Sequence, residues 1–443
     1  MTYERYRFGI HGQPWFDRHG LRTSRRRPRA ARAAGSAFRD LADTENLLAV
    51  FDDLRRTRGL APGIDGLSYA DFSRSEIAGI LRSVSRAIIA GTYRPQATRT
   101  VPIDKPNGGR RELHLPTIVD RVVASAVTRY LTPVIDSQFS PRSFGFRPRR
   151  GIRSLLVGLE RLILGERLVV LAQDDIRQAF DNVPIDLALE CFARHVSDAD
   201  LLNLVGVILR GHAGHEKAVG IDQGNPLSPL ALNVVLDHVL DRPSVADPTR
   251  IVVLRYADNI IVVARTVAEA RCTLERTAEL LIPHGFTLKG EANRPNILTR
   301  QGAHGETLGF RIGMGIGRLR IALGTEAFGN LERALERAHT TVDPPSVAKE
   351  VIRGWISSYG PGFESAEMRQ VVDRIRLTAI RKGFREGHTT YALETMICRA
   401  ACKWAVFRNE SSQGTPSVTP LPDTTLRSEE TFALCASTSE VPF

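Results

Sequence analysis

The chain has 443 residues, 42% of them hydrophobic and 25% charged, which is core enough to exclude a wholly disordered protein. No apolar run approaches about eighteen residues, arguing against a membrane-spanning helix, and the start, MTYERYRFGIHG, lacks the apolar stretch of a secretory signal. Five scattered cysteines do not make a disulfide framework, so a reducing cytoplasm is expected, while a net charge of +11 points to a polyanionic partner.

Residues 1–39 hold a basic cluster, RTSRRRPRAARAA, with no apolar period. It reads either as a flexible arm on phosphates or as a solvated tail. Residues 40–60 predict an amphipathic helix through Leu41, Leu47, Leu48 and Leu54, and 71–92 a second helix. Residues 98–116 alternate around Pro106-Asn107-Gly108-Gly109, the pattern of a hairpin. A helix over 117–136, a basic loop over 140–151 and a helix over 152–165 follow. LVVLAQDDI (168–176) is an apolar strand ending in acids. Helices are expected over 184–194 and 198–211, then a punctuated loop, GIDQGNPLSP (220–229), running into a helix to about Leu240. IVVLRYADNIIVVA (251–264) reads as two strands about an acidic turn, followed by a helix over 267–283 and a hairpin from TLGFRIG and RLRIA. Helices at 326–340 and 346–359 and a largely helical 364–408 precede a Ser/Thr/Pro-rich tail from Asn409, expected to be disordered.

Acids close two of these strands: Asp174-Asp175 in one, Asp258 in the other. Carboxylates at neighbouring strand ends repel unless a cation lies between them, and a pair of Mg²⁺ ions is the common solution in phosphoryl transfer. Any one of these aspartates alone reads as an ordinary turn acid. Their order along the chain does not.

That order resembles the reverse transcriptase family, above all the group II intron and group II-like bacterial branch. DIRQAFDNV (175–183), GIDQGNPLSPLALNVVL (220–236), YADN (256–259) and LGF (308–310) look like successive family motifs. Upstream, GIDG (63–66), IDKPNGGRRELHLPTIVDRVV (103–123) and SFGFRPRRG (143–151) match finger motifs, and VIRGWISSYGP (351–361) resembles a thumb segment. The resemblance runs from about residue 45 to about 405. It implies an α+β right-hand polymerase: fingers over 40–165, an antiparallel-sheet palm over 166–325, a helical thumb over 326–408.

The resemblance also implies roles. Asp175 and Asp258 match the catalytic metal-binding acids, and the Ile176 main-chain carbonyl helps hold the second of two Mg²⁺ ions, with Mn²⁺ as an alternative. Lys105 and Arg111 match residues that grip the incoming triphosphate, where cations offset developing charge. Gln223 and Gly224 match the loop beneath nucleotide and template. Phe180 matches the steric gate that leaves no room for a 2′-hydroxyl; core packing is its plainer reading. Asp181 and Asn259 are auxiliary candidates. Arg147, Arg149 and Arg150 are candidates for the template backbone, or else a solvated face. Trp355 and Tyr359, four apart, read as packing.

Three departures stand out. Asn259 replaces the family's second box aspartate, keeping the shape and losing the charge. Asp222 stands where intron enzymes usually have proline. Lys289 comes early and Arg294 late relative to the place of a nucleotide-side lysine, so the role is assigned to neither. The expected partners are an RNA template or non-coding RNA, a DNA primer or product, and dNTPs, with no membrane. The short stretch after the thumb favours a stand-alone enzyme resembling antiviral defence-associated reverse transcriptases over intron mobility. The alternatives are an intron-type maturase, a polymerase working without template or primer, and an inactive RNA-binding protein. The oligomeric state is not legible.

Overall fold

The computed structural model describes residues 34–57, 61–104, 110–246, 252–290, 295–299, 302–341, 343–363, 367–385 and 388–412. The Pro106–Gly109 turn, Lys105, Arg294 and most of the two terminal segments lie outside these.

The first helical stretch is two helices, α1 (Ala34–Ala42) and α2 (Thr44–Thr57). Asp43 separates them, because its carboxylate caps the new helix by accepting the Glu45 N–H at 2.9 Å. Helix α1 begins inside the segment read as an arm. Ser73 and Glu76 form a capping box that starts α3 (Arg74–Ile89). Strands β1 (Arg99–Asp104) and β2 (Arg110–Leu115) pair antiparallel, and Thr117 caps α4 (Ile118–Asp136). Helix α5 (Ile152–Glu160) runs into a π-helical turn, Arg161–Gly165.

Next come β3 (Val170–Asp175), α6 (Ile185–Ala193), α7 (Ala199–Arg210), α8 (Ser228–Leu236) with a π turn to Asp241, and a short α9 (Arg242–Ala246). Strands β4 (Val253–Tyr256) and β5 (Asn259–Ala264), helix α10 (Val267–Leu281) and the two-residue β6 (Asn296–Ile297) complete a four-stranded antiparallel sheet of order β4-β5-β3-β6. A separate sheet holds β7 (His304–Thr307), β8 (Phe310–Met314) and β9 (Leu319–Leu323). The expected hairpin thus has a third strand, β7, whose polar sequence HGET gave no strand signal. Four helices end the described chain: α11 (Ala327–Ala338), α12 (Pro344–Ser358), α13 (Met368–Arg381) and α14 (Thr390–Ser412). Helix α14 extends into the segment read as tail.

The central sheet is buried on both faces, which explains its nearly continuous apolar sequence. Val170, Ala172, Ile260 and Val262 point into a core shared with α2, α4, α6, α8 and α10. Leu171, Leu254, Ile261 and Val263 point into a second core with α5, β8, β9 and α11 to α14. Strand alternation divides one run between two cores. Trp355 and Tyr359 belong to the second: Trp355 Nε1 donates to the Ala327 carbonyl at 2.8 Å, and the two rings lie 4.9 Å apart.

Candidate active site

Two acids meet at one end of the central sheet. β3 and β5 run antiparallel with Asp175 opposite Asn259, and β4 returns into β5 through the two-residue turn Ala257-Asp258. The Ile176 N–H donates to the Asp258 carbonyl at 2.9 Å, tying the first acid's strand to the second acid's turn. On its other side β3 is extended by the stretch around Leu288: Arg177 N–H donates to the Thr287 carbonyl and Lys289 N–H to the Asp175 carbonyl, both at 2.8 Å. In this pairing the N–H and C=O of Ile176 itself face the Asp258 turn.

The electrostatics follow from this proximity. Burial and the Asp175 carboxylate push the Asp258 carboxyl up to about 6. Asp175 remains about one-third exposed, and its Oδ2 accepts the Lys289 ammonium at 2.6 Å. Asp174 is turned away. Its carboxylate accepts the Asp175 N–H at 2.8 Å and the Gly290 N–H at 3.3 Å, a structural tie in a buried position. Two carboxylates and a main-chain carbonyl make a hard oxygen donor set that suits Mg²⁺ or Mn²⁺. Among the described residues no group of three or more His, Cys, Asp or Glu side chains could hold a metal ion.

The turn carrying Asp258 is held from beneath by a residue that sequence reasoning passed over. Arg255 is completely buried. Its Nε donates to Asp241 Oδ1 at 2.9 Å, and its Nη2 donates to Asp241 Oδ2 and, at 2.9 Å, to Ser143 Oγ. Its Nη1 donates to Asn233 Oδ1 at 2.8 Å and to the Ala257 carbonyl at 2.9 Å. Ala257 has φ +57°, a left-handed conformation costly for a side-chain-bearing residue. The signal was present, since an arginine inside an apolar strand needs a buried counter-charge. Gly145 packs against the same turn, and a Cβ there would sit 2.3 Å from the Ala257 nitrogen.

The remaining candidates distribute unevenly. Arg111, on β2, is close enough to Asp258 for that carboxylate to oppose the downward pull of burial on its guanidinium. Phe180 is half-buried, edge-on to Phe146 at 6.0 Å and 78°. The Gln223 carbonyl accepts the His114 N–H of β2 at 2.7 Å. Gly224 has φ +116°, and a Cβ there would meet the His114 carbonyl oxygen at 2.5 Å, so the loop admits only glycine. Asp222 pairs with Lys217, and Asp181 is exposed.

Arg147 requires a correction. It is 3% exposed, and its guanidinium donates to Asp136 Oδ1 and to the Ser140, Ser143 and Asp136 carbonyls at 2.7–2.8 Å. Four of its five N–H donors are spent on holding the loop, and its burial keeps it away from a template phosphate. Arg150 donates to the Pro141 carbonyl and lies over the Phe144 ring, while Arg149 is exposed.

Residues 103–291 match the family model described as reverse transcriptase (RNA-dependent DNA polymerase). Protein YkfC of Escherichia coli K12 is 31% identical over 189 residues, 40% of this chain and 48% of that one. The group II intron-encoded protein LtrA of Lactococcus lactis is 32% identical over 179 residues, 39% of this chain and 28% of that one. The chain thus spans about half the length, or less, of these curated relatives. Among solved structures, apo telomerase from Candida tropicalis aligns over 84% of this chain and 85% of that chain at 11% identity, with a TM-score of 0.40, too loose to define a fold. No helix among the described residues is long and apolar enough to cross a membrane. The matched stretch carries the motifs at 175–183, 220–236 and 256–259 in order, and over it this chain is similar to reverse transcriptases and to group II intron-encoded proteins.

Proposed function

We propose that this protein is an RNA-directed DNA polymerase of the group II intron type, adding dNTPs to a primer 3′ end. The observation that carries the reading is the meeting of Asp175 and Asp258 across two antiparallel strands, with the Ile176 main chain between them. In this reading residues 40–165 are fingers, 166–325 the palm and 326–408 the thumb. Asp175, Asp258 and the Ile176 carbonyl hold the divalent cations. Mg²⁺ bound there supplies charge that lowers the pKa of the attacking hydroxyl and offsets charge on the phosphates. Arg111, and Lys105 beyond the described residues, orient the triphosphate. Phe180, backed by Phe146, closes on the sugar 2′ position. Gln223 and Gly224 support the nucleotide and template, and Arg149 is the arginine of its loop open to a template phosphate.

The intron-encoded relatives support an intron-type role better than phage defence with a non-coding RNA. Primer extension on an RNA template with Mg²⁺ and dNTPs tests the activity. Asp258→Asn should lower incorporation by about three orders of magnitude or more, the scale of losing a group that acts in the transition state. Wild-type-like incorporation by that variant would remove Asp258 from the chemistry.

A further inference from the structure

Lys289 is the residue whose role the motifs leave open, and the structure puts it at the acids. Its backbone is fixed from both sides. The Lys289 N–H donates to the Asp175 carbonyl at 2.8 Å, and the Lys289 carbonyl accepts Arg177 Nη2 at 2.9 Å. The next residue, Gly290, donates to Asp174 Oδ2. From this anchored main chain the side chain reaches Asp175 Oδ2 at 2.6 Å. Its charge is also felt at Asp258, where it opposes the effect of Asp175. The pair is open to solvent, the lysine side chain 40% and the aspartate 34% exposed.

We infer that Lys289 is a tethered counter-ion of the metal site: its ammonium holds Asp175 in the metal-free protein, and a divalent cation reaches that carboxylate only as the lysine side chain swings off it. The inference rests on reading Asp175 as a metal ligand. An ammonium at hydrogen-bond distance from Oδ2 occupies space that a cation bound to the same oxygen would need. Because the backbone is pinned and the side chain exposed, the flexible four-carbon stem can leave without disturbing β3. The arrangement gives the two acids a positive neighbour before metal arrives, and it sets the acids' metal affinity below what they alone would give.

The test is Mn²⁺ binding to the full chain, without nucleotide or nucleic acid, followed by the electron paramagnetic resonance signal of free Mn²⁺. Wild type, K289M, K289R and D175N are compared, with K289Q as a second neutral variant should K289M fold poorly. K289M should bind Mn²⁺ about three- to tenfold more tightly than wild type, the range expected for freeing a carboxylate from a half-exposed ion pair. K289R, which keeps the cation, should stay within about twofold of wild type, and D175N should bind at least about tenfold more weakly. If D175N weakens binding but the neutral variants match or fall below wild type, the counter-ion inference fails while Asp175 stays a ligand. K289R binding as tightly as K289M would overturn the inference as well. If D175N binds like wild type, the reading of Asp175 as a ligand falls, and the inference with it.

Discussion

Asp258 carries an electrostatic penalty in the folded protein. Its carboxyl is pushed up to about 6 by burial and by Asp175, against about 4 in an unfolded chain. A folded-state pKa above the unfolded value means that the native state binds the proton more readily. This acid therefore favours folding below about pH 4, and that advantage is lost as pH rises to about 6. Metal-free Asp258→Asn should be more stable than wild type by about 1–2 kcal/mol at pH 8, allowing for solvent screening, and no more stable at pH 4. Urea unfolding at the two pH values checks this, and an equal gain at both would locate the stabilisation elsewhere. In the proposed function Phe180 acts by shape. Its ring is set by the contact with Phe146, so Phe180→Ala should lower the preference for dNTP over rNTP by about 10- to 100-fold, read as the ratio of the two kcat/KM values. A fall in stability with the ratio unchanged would make the ring simple packing.

At the scale of the element, the β4–β5 turn shows what local sequence does and does not specify. The flanking apolar runs and the tyrosine-alanine-aspartate-asparagine order were legible, because strands buried on both faces leave a plain signature and the turn interrupts it. The partners beneath were not legible, because Asn233 and Asp241 come from the α8 run and Ser143 from the 140–151 loop, both distant in sequence from the turn. Arg147 failed for the same reason. Nothing local separates it from Arg149 and Arg150, and its burial is decided by Asp136 at the end of α4 and the Phe139 ring. Lys289 was visible as a residue, but its register against β3 follows from a pairing 114 residues away in sequence. For Arg255 the physics separates two roles. Arg255→Met leaves Asp241 buried without its counter-charge and should cost about 3–5 kcal/mol. Adding Asp241→Leu should restore much of that stability, since an apolar pair can replace a buried ionic one. It should not restore nucleotide addition, because the Ala257 carbonyl loses the donor that fixes the turn. Recovery of activity together with stability in the double variant would reduce Arg255 to a core residue.

At the scale of the whole molecule, two cores share one sheet, and an ionic clamp helps keep the C-terminal helices on it. Arg408 of α14 is 5% exposed. It donates from Nε to Glu160 Oε2 at 2.8 Å, from Nη2 to Glu160 Oε1, and from Nη2 to the Leu319 carbonyl at 2.8 Å. Glu160 Oε1 also accepts the Leu319 N–H at 2.8 Å. Three elements, α5, β9 and α14, therefore close on one charged pair. Removing the arginine alone strands a largely buried carboxylate and should cost about 3–5 kcal/mol, whereas Glu160→Gln with Arg408→Met should cost less. The functional consequence depends on what the C-terminal helices do. If they hold the template–primer duplex while chemistry proceeds between Asp175 and Asp258, loosening the clamp spares the acids and weakens the grip. The double variant should then add a first nucleotide at close to the wild-type rate but release its product after fewer additions. Primer extension with a trap for dissociated enzyme separates the two quantities. Loss of the first addition in a folded double variant would instead mean that the clamp shapes the acidic site itself, through the second core and the shared sheet.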